Sequence, residues 1–461
     1  MRLKSFLAPV LVLVLVFSLS FLDLILYNSF LILFVSIVLT FTLLASYLLF
    51  NYIQKIVLFT SFLILLYSFY CFTIAPYSKE LEENAFFTLG ALMFLSIVIL
   101  FAGFQSDQIK MNFSGFDKFL IVTVFITLFV SNTIVNPEEL TEPQGMLKMV
   151  TLGGSLIIFG NYFSCCLYEN KNILKIFLKI IVFVGLFSGI FGIMTIVNPG
   201  LIANNQYPGL ATSFYKHPNA TSSIYNFSIP VTIWFLVYKS KELVFLEKLI
   251  YSAGLIISLV ALAFTFGRFG IAMVFLSSLI LIYKYSKKLF FTIIIIALIS
   301  FSFIIANFFS TKGSMTIIGR IGLLETAFEM LKDTVHLLFG YGGITTKLVF
   351  ENIKFSLSVG DPNNNPHNII LYSIILYGVI FSAALFLLFF KYYLKAFYTF
   401  IRSKPSDLFI LSLAVCSGLF FKNMGEDLLF FQEFFMWYLF LIFFGFLVIE
   451  INSTDTTVTK K

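Results

Sequence analysis

Charged residues are scarce in this sequence. Only 11% of its 461 residues are Asp, Glu, Lys or Arg, against 59% hydrophobic residues, and the mean hydropathy is +0.99. Such a composition excludes a soluble globular domain. Cysteine is also scarce: the four cysteines have no metal-binding or redox spacing and are expected to be small packing residues. No acidic cluster with metal-binding spacing is present, so the sequence predicts neither a metal site nor a cofactor.

Long apolar runs fill most of the chain. A bilayer core of about 30 Å needs roughly 20 apolar residues per helix, and about fourteen runs approach that length. They lack the apolar–polar alternation of a membrane barrel, so helices are predicted. The predicted spans are 6–27, 29–50, 56–75, 86–104, 119–135, 149–168, 176–197, 220–238, 249–266, 269–285, 289–309, 369–390, 408–423 and 433–450.

The predicted fold is therefore all-α and polytopic, with one integral membrane domain over residues 1–461. An amino-terminal helix bundle is predicted at 1–197 and carboxy-terminal helices at 391–461. Between them, a core at 198–390 carries nearly all the polar clusters, including a long loop at 310–368. Function is expected in this core, because polar residues are the exception in such a chain.

Lysine and arginine occur in every second connection between the predicted spans. The remaining connections are mostly acidic or neutral, as at 80–83 and 137–142. Positive connections stay in the cytoplasm. The bias thus predicts a multi-pass protein of the cytoplasmic membrane with both termini in the cytoplasm. The net charge of +7 reflects this orientation and not a nucleic-acid partner. The connections at 239–248 and 391–406 are predicted to be cytoplasmic, and those at 200–218 and 310–368 to be outside.

The loop at 310–368 is expected to contain an amphipathic helix. Apolar residues at helical spacing predict a helix from Ile317 to Phe339 that lies at the membrane surface, with its apolar face in lipid or on the bundle. Gly340-Tyr-Gly-Gly343 is expected to end it, a second short helix is expected at 345–355, and 361–366 is typical of a turn. The predicted apolar stripe is Ile318, Ile321, Leu324, Ala327, Phe328, Leu331 and Val335, opposite Glu325, Glu329 and Lys332.

Two arginines in the core are candidate anion ligands. Arg268 stands between two predicted spans, and no acidic residue lies within about fifteen positions of it, although an arginine so near the hydrocarbon needs a partner. A phosphate suits its planar guanidinium fork; the alternative is a guanidinium that reaches lipid headgroups. Arg320 is predicted at the start of the loop helix, where anions are favoured; the alternative is a solvated surface arginine.

The three histidines all lie in the predicted outer connections. His367, at the lip of a span, is the one side chain there that accepts a proton near neutral pH, although such a histidine is also compatible with a structural role. His217 precedes another span with Lys216 and Asn219, where it suits a helix cap, a lipid headgroup or a substrate. His336 falls late in the loop helix, which favours a surface role.

Two arginines and a histidine near one membrane surface suit transfer from a lipid pyrophosphate. The arginines would offset the charge that develops on the leaving diphosphate. The histidine would take the proton of an attacking sugar hydroxyl. Without an acidic metal-binding cluster, arginine has to do what a divalent cation does elsewhere.

These residues form an ordered set over about 205–385. It consists of His217-Pro-Asn219, Thr265-Phe-Gly-Arg268-Phe-Gly270, Arg320, Phe339-Gly-Tyr-Gly-Gly343, His367-Asn368 and Gly378. The set resembles the O-antigen ligase and O-antigen polymerase group of bacterial membrane glycosyltransferases. Gly267 stands where that family commonly has serine.

The resemblance implies an enzyme that transfers an undecaprenyl-pyrophosphate-linked oligosaccharide to a sugar acceptor outside the cytoplasmic membrane. It implies that Arg268 and Arg320 hold the pyrophosphate and that His367 activates the acceptor. The substrate-binding candidates are Lys216, His217, Asn219 and Asn368.

Three functions remain open at this point. A Wzy-type polymerase that extends a surface polysaccharide is favoured, and a ligase that attaches finished glycan to a lipid or protein is the alternative in the same class. A flippase for lipid-linked sugars is the alternative from another class, although its ionisable residues would be expected near the bilayer midplane. The expected partners are the lipid-linked donor, the sugar acceptor, membrane lipids, a flippase and a chain-length regulator.

Overall fold

The structure is a computed structural model that describes residues 61–66, 68–69, 112–136, 152–201, 209–213, 218–295, 313–356, 366–424 and 434–458. In these ranges every regular element is helical and no strand occurs. Seven of the described helices are long and apolar enough to cross a membrane. The all-α prediction is thereby confirmed for this part of the chain. The predicted spans at 6–27, 29–50 and 86–104 lie outside the described residues.

Twelve helices within the described ranges are labelled here in chain order. They are α1 (Gly115–Val130), α2 (Ser164–Glu169), α3 (Lys171–Val197), α4 (Pro218–Tyr238), α5 (Phe245–Phe264), α6 (Arg268–Tyr285), α7 (Gly313–Met330), α8 (Thr334–Phe339), α9 (Gly343–Ser356), α10 (Ile369–Arg402), α11 (Asp407–Asn423) and α12 (Phe434–Val458). A π-helical turn continues α1 over Ser131–Val135, and another, Ile158–Phe163, precedes α2.

The long helices run in alternating directions, so their connections gather at two ends of the bundle. At the first, Lys239 Nζ lies 3.0 Å from Asp407 Oδ2, which joins the end of α4 to the start of α11. There too, Lys391 Nζ lies 2.5 Å from Oδ1 of the fully buried Asp117. We call this the lysine-rich end. The opposite end, where α6 begins at Arg268, is called the Arg268 end.

Lysines at the lysine-rich end are paired with acids from neighbouring connections. Lys175 Nζ lies 3.0 Å from Glu242 Oε2, and this hydrogen bond lowers the pKa of the Glu242 carboxyl. Lys179 forms an ion pair with Glu247. Such pairs in contact with water contribute up to about 1 kcal/mol each. Their contribution to stability is therefore small, and their main effect is to fix the relative positions of α3, α4 and α5 at this end.

The helix predicted over 317–339 is two helices, and only part of its predicted apolar stripe, including Ala327, packs on the protein. Asp333 Oδ1 accepts hydrogen bonds from the backbone N–H of Val335 (2.9 Å) and His336 (3.2 Å). This cap starts α8 and separates it from α7. The buried face of α7 is Leu323, Ala327 and Met330, whereas Ile321, Phe328 and Val335 from the predicted stripe are 51%, 60% and 54% exposed. The buried residues pack with Tyr341, Phe350 of α9 and Ile375 of α10.

The Gly-Tyr-Gly-Gly run joins α8 to α10 by backbone hydrogen bonds. As predicted, the helix ends there: α8 stops at Phe339, and Gly340 has φ 80°. The N–H of Tyr341 donates to Ile375 O (2.8 Å), and that of Gly342 donates to Leu376 O (3.0 Å). These carbonyls lack helical partners because α10 is interrupted at Gly378, where φ is 85°.

Gly378 and Gly340 face each other across this junction with no room for side chains. A Cβ on Gly378 would overlap the Leu338 carbonyl, and one on Gly340 would overlap that of Leu376. Asn136, at the end of α1, donates from Nδ2 to Gly340 O at 3.0 Å. The junction therefore fixes the α7–α9 segment to the bundle at the Arg268 end.

We expect Gly378→Ala to release the α7–α9 segment. The left-handed φ and the overlap with Leu338 O together destabilise the native backbone by at least about 1–3 kcal/mol. Limited proteolysis of the detergent-solubilised protein should cut 313–356 faster, with a lower Tm. The matched control is Gly254→Ala, because a Cβ there meets Leu186 at an ordinary 3.5 Å. Equal protease resistance of Gly378→Ala and wild type would show that the junction does not hold the segment.

Candidate functional site

Three helices meet at the Arg268 end along polar and small residues. On α4, Ser222 is fully buried and faces the first turn of α6. A Cβ on Gly270 would lie 2.5 Å from Ser222 Oγ, so only glycine allows this approach. One or two turns further in, Gly418 of α11 lies against Ser277 Oγ of α6 and Asn226 Oδ1 of α4. We call this contact between α4, α6 and α11 the polar seam.

Lys422, in the last turn of α11, is the charged residue of the polar seam. Its side chain is fully buried. The ammonium donates to the Asn219 carbonyl at 2.9 Å and to Ser223 Oγ, both in the first turns of α4. Its Cε lies 3.6 Å from the Cβ position of Gly270. Lys422 thus ties the end of α11 to the start of α4 beside the first turn of α6.

The Asn219 carbonyl is the most heavily bonded acceptor in this region. Besides Lys422, Ser222 Oγ donates to it at 2.7 Å and Ser223 Oγ at 3.0 Å. Three side-chain donors on one oxygen fix the position of the backbone at Asn219, which itself is half-buried. The predicted substrate ligand therefore stands on a rigid first turn.

Arg268 is the first residue of α6, and its side chain is exposed. The turn before it is tight: Phe266 has φ 50°, and the Gly267 N–H donates to Thr265 Oγ1 at 3.2 Å. Gly267 itself lies close to α4. A Cβ there would lie 3.2 Å from Ser222 Oγ, closer than ordinary contact. Glycine at 267 accordingly fits the close approach of α4.

His367 and Asn368 precede α10 at the same end of the bundle. The Asn368 side chain caps α10, because Oδ1 accepts from the N–H of Ile370 (3.1 Å) and Leu371 (3.0 Å). Its Nδ2 lies 3.4 Å from the carbonyl oxygen of Met424, two residues after Lys422. Asn368 therefore positions His367, which is half-buried and has φ 49°.

Backbone strain concentrates at this end of the bundle. Among the described residues other than glycine, Ser213, Phe266 and His367 have positive φ. Ser213 belongs to 209–213, where Ala211 N–H donates to Phe264 O at the end of α5 (3.0 Å). A left-handed conformation costs such residues about 1–2 kcal/mol each. Strain of this kind is often found at functional sites, so its position makes the Arg268 end a candidate site.

The structure brings Asn219, Arg268, His367 and Asn368 to one end, within the reach of the last turn of α11. Lys216 and His217 lie outside the described residues. Arg320 lies on α7, but seven residues after its first residue and not at the helix start that was predicted. The anion preference of a helix N-terminus therefore does not apply to Arg320. The reason is that α7 begins at Gly313, before the apolar pattern does.

His336 takes part in local contacts away from the polar seam. Its ring stacks on Tyr341 with centroids 4.0 Å apart, and Nδ1 lies 3.1 Å from Asp333 Oδ2. The hydrogen bond with His336 lowers the pKa of the Asp333 carboxyl, and burial raises the pKa of the Tyr341 hydroxyl. These contacts suit a structural role for His336 within α8, whereas the sequence predicts a surface role.

Sequence reasoning missed Lys422 and the serines that surround it. The signal was present, because Lys422 is the one charged residue between Asp407 and Glu426. A lone charge at the end of an apolar run is expected to face the bundle interior. Ser222 and Ser223 gave no such signal, since serine is common at helix contacts in membranes.

Comparison with known proteins adds no relative. No protein-family model matches the chain, and no curated protein matches it either. The geometry of the Arg268 end therefore carries the functional argument.

Proposed function

We propose that this protein is a membrane glycosyltransferase that transfers an oligosaccharide from undecaprenyl pyrophosphate to a sugar hydroxyl at the Arg268 end. One observation carries the proposal. The starts of α4, α6 and α10, which bear Asn219, Arg268 and His367, meet around the last turn of α11. A cationic fork at the start of α6 and a base just before α10 thereby lie at one end of the bundle, together with Asn219 of α4.

In the proposed reaction the acceptor hydroxyl attacks the anomeric carbon of the donor. The new glycosidic C–O bond forms as the bond from that carbon to the diphosphate oxygen breaks. His367 takes the hydroxyl proton, and the diphosphate leaves with the bonding electrons. The guanidinium of Arg268 offsets the charge that develops on it, by paired N–H donors that suit phosphate oxygens. Arg320 of α7 is the second proposed diphosphate ligand.

Helix starts support this charge distribution. A helix N-terminus carries about half a positive charge and free N–H donors, which favour an anion nearby. The first turns of α4 and α6 approach each other at Ser222 and Gly270. The positive ends of these two helix dipoles add to the charge of Arg268 in the same region, and together they attract a diphosphate more strongly.

A polymerase of surface polysaccharide is the form of this activity that we favour. The chain resembles the O-antigen ligase and polymerase group through its motifs, and both activities use the same donor chemistry. We expect a flippase to deliver the donor and a chain-length regulator to act on the product. Transfer to a lipid or protein acceptor, as by a ligase, is the alternative within the class.

A transporter for lipid-linked sugars is the second candidate, and the polar seam is what favours it. Ser222, Asn226 and Ser277 are fully buried between α4, α6 and α11, and a polar line inside a bundle is typical of a substrate pathway. Against it, the predicted functional residues Arg268 and His367 lie at one end.

Synthesis by the purified protein decides between these functions. In detergent there is no second compartment, so a transporter has nothing to transport, whereas a polymerase still elongates lipid-linked repeat units. We expect longer glycan on the lipid and release of undecaprenyl pyrophosphate. Release without elongation, on addition of a lipid or protein acceptor, would identify a ligase. No product with any acceptor would contradict the proposal.

We expect the Arg268 end to face outside and the lysine-rich end to face the cytoplasm. Single cysteines at Thr334 and Lys404, both exposed in the structure, report the two ends in a protein whose native cysteines are replaced by alanine. An impermeant maleimide should label Thr334→Cys in intact cells and Lys404→Cys only after lysis. The reverse order would place the site in the cytoplasm and exclude the proposed reaction.

A further inference from the structure

We propose that Lys422 is a positioning residue for the diphosphate of the donor, acting through Asn219. The inference rests on the proposed function and adds a residue that the sequence motifs do not contain. Lys422 comes from α11, after the core that those motifs span. Its ammonium is fully buried and donates to the Asn219 carbonyl at 2.9 Å.

The burial of Lys422 determines how firmly it holds α4. Moving an ammonium out of water costs several kcal/mol unless its donors are bonded. The charge therefore keeps the Asn219 carbonyl and Ser223 Oγ in contact with it. Because these acceptors lie in the first turns of α4, any displacement of α4 from α11 would break bonds to a buried charge. The start of α4 is thus held more rigidly than packing of serines alone allows.

The same lysine also sets the gap between α4 and α6. Its Cε lies 3.6 Å from the Cβ position of Gly270, one turn along from Gly267 and beside Arg268. Ser222, which donates to the same Asn219 carbonyl, fills the space over Gly270. Lys422 therefore affects the position of two predicted donor-binding residues. It holds Asn219 by a hydrogen bond and influences Arg268 through the packing of α6.

A positioning role has a consequence that distinguishes it from general support of the fold. If Lys422 acts by positioning Asn219, the Asn219 side chain should no longer contribute to donor affinity when Lys422 is replaced. Substitutions at both residues should then be far from additive. A lysine that only stabilises the protein would lower Tm and leave the two effects on binding additive.

The test measures binding of undecaprenyl pyrophosphate, without sugar, to the purified full-length protein in detergent. Lys422→Met keeps the length of the side chain and removes the donors. We expect affinity to fall about tenfold to a hundredfold, the value of a hydrogen bond from a charged group. Asn219→Ala should weaken binding in the wild type and have little further effect in Lys422→Met. Lys391→Met is the matched control, since it removes a lysine bound to buried Asp117 at the lysine-rich end. It should lower Tm and leave affinity unchanged.

Each other outcome is informative. Unchanged affinity in Lys422→Met, or additive effects with Asn219→Ala, would overturn the role of Lys422 while the proposed function stands. Absence of binding by the wild type would overturn the proposed function and this inference with it. If Lys422→Met does not fold, Ser223→Ala replaces it, because this change removes one acceptor and keeps the lysine. A severalfold loss of affinity is then expected, and no loss would count against the proposal.

Discussion

Arg268→Lys is expected to lower the rate of glycan transfer by about 10²–10³-fold, the usual effect of removing one group that stabilises charge in a transition state. The substitution keeps the positive charge at the start of α6. It removes the planar fork that donates two parallel hydrogen bonds to a diphosphate. The effect should appear in kcat, because the charge on the diphosphate grows as the bond to the sugar breaks.

This substitution should disturb packing little, and the chain offers a matched control. The Arg268 side chain is exposed, so lysine fits without repacking, and Tm should change little. Arg402→Lys is the matched control, because Arg402 is an exposed arginine at the lysine-rich end whose described hydrogen bond is to Tyr398. It should leave the transfer rate as it is. Near-normal transfer by both Arg268→Lys and Arg320→Lys, at normal protein level, would refute the diphosphate role of the arginines.

The start of α6 could be predicted because its signals are local. Gly267 and Gly270, on either side of Arg268, separate two apolar runs. The turn that contains Phe266, with φ 50°, lies between those runs. In the same way, Asn368 at the start of α10 is a residue type that caps helices. The glycine run at 340–343 ended a helix as expected. Signals of this kind need only a few neighbouring residues, so one sequence suffices.

The contacts between distant helices could not be predicted. Nothing in the sequence tells that Lys422 meets Asn219, because this depends on which helices are neighbours in the bundle. Which side of α7 packs on the protein could not be predicted either, for a related reason. In a membrane protein, lipid and the protein core both accept apolar side chains. Ile321 and Phe328 are exposed and Leu323 is buried, yet all three are apolar. The apolar pattern of the sequence therefore does not separate the packed side of α7 from its exposed side. Periodicity finds the helix but not the side that packs.

The junction of Gly340 with Gly378 could be predicted only in part. Each glycine was visible as part of a motif, but their contact was not. The backbone hydrogen bonds from Tyr341 and Gly342 to α10 explain why glycines 38 positions apart occur together. They hold the α7–α9 segment, which carries Arg320, beside the start of the helix that His367 precedes. The motif residues that the structure describes thus belong to elements that lie at the Arg268 end.

His367→Ala is expected to lower transfer by about 10²–10⁴-fold, the usual contribution of a positioned general base. Donor binding should persist, because the diphosphate is held by the arginines in the proposed reaction. The neighbours cannot substitute as a base: Pro366 has no titratable group, and the Asn368 amide caps α10. The fold should tolerate the change, since the cap of α10 is made by Asn368, although the left-handed φ at 367 remains slightly unfavourable.

The pH dependence of kcat separates loss of a base from loss of structure. A rate that depends on a base should fall on the acid side of its pH profile, because a protonated base cannot accept the proton of the acceptor hydroxyl. In His367→Ala the residual rate should lose this acid limb. His336→Ala is the control: it removes the stacking on Tyr341 and the pair with Asp333, so Tm should fall slightly while the pH profile stays as in the wild type. A His367→Ala protein that is active with the wild-type pH profile would show that the base lies elsewhere, and His217 would be the next residue to substitute.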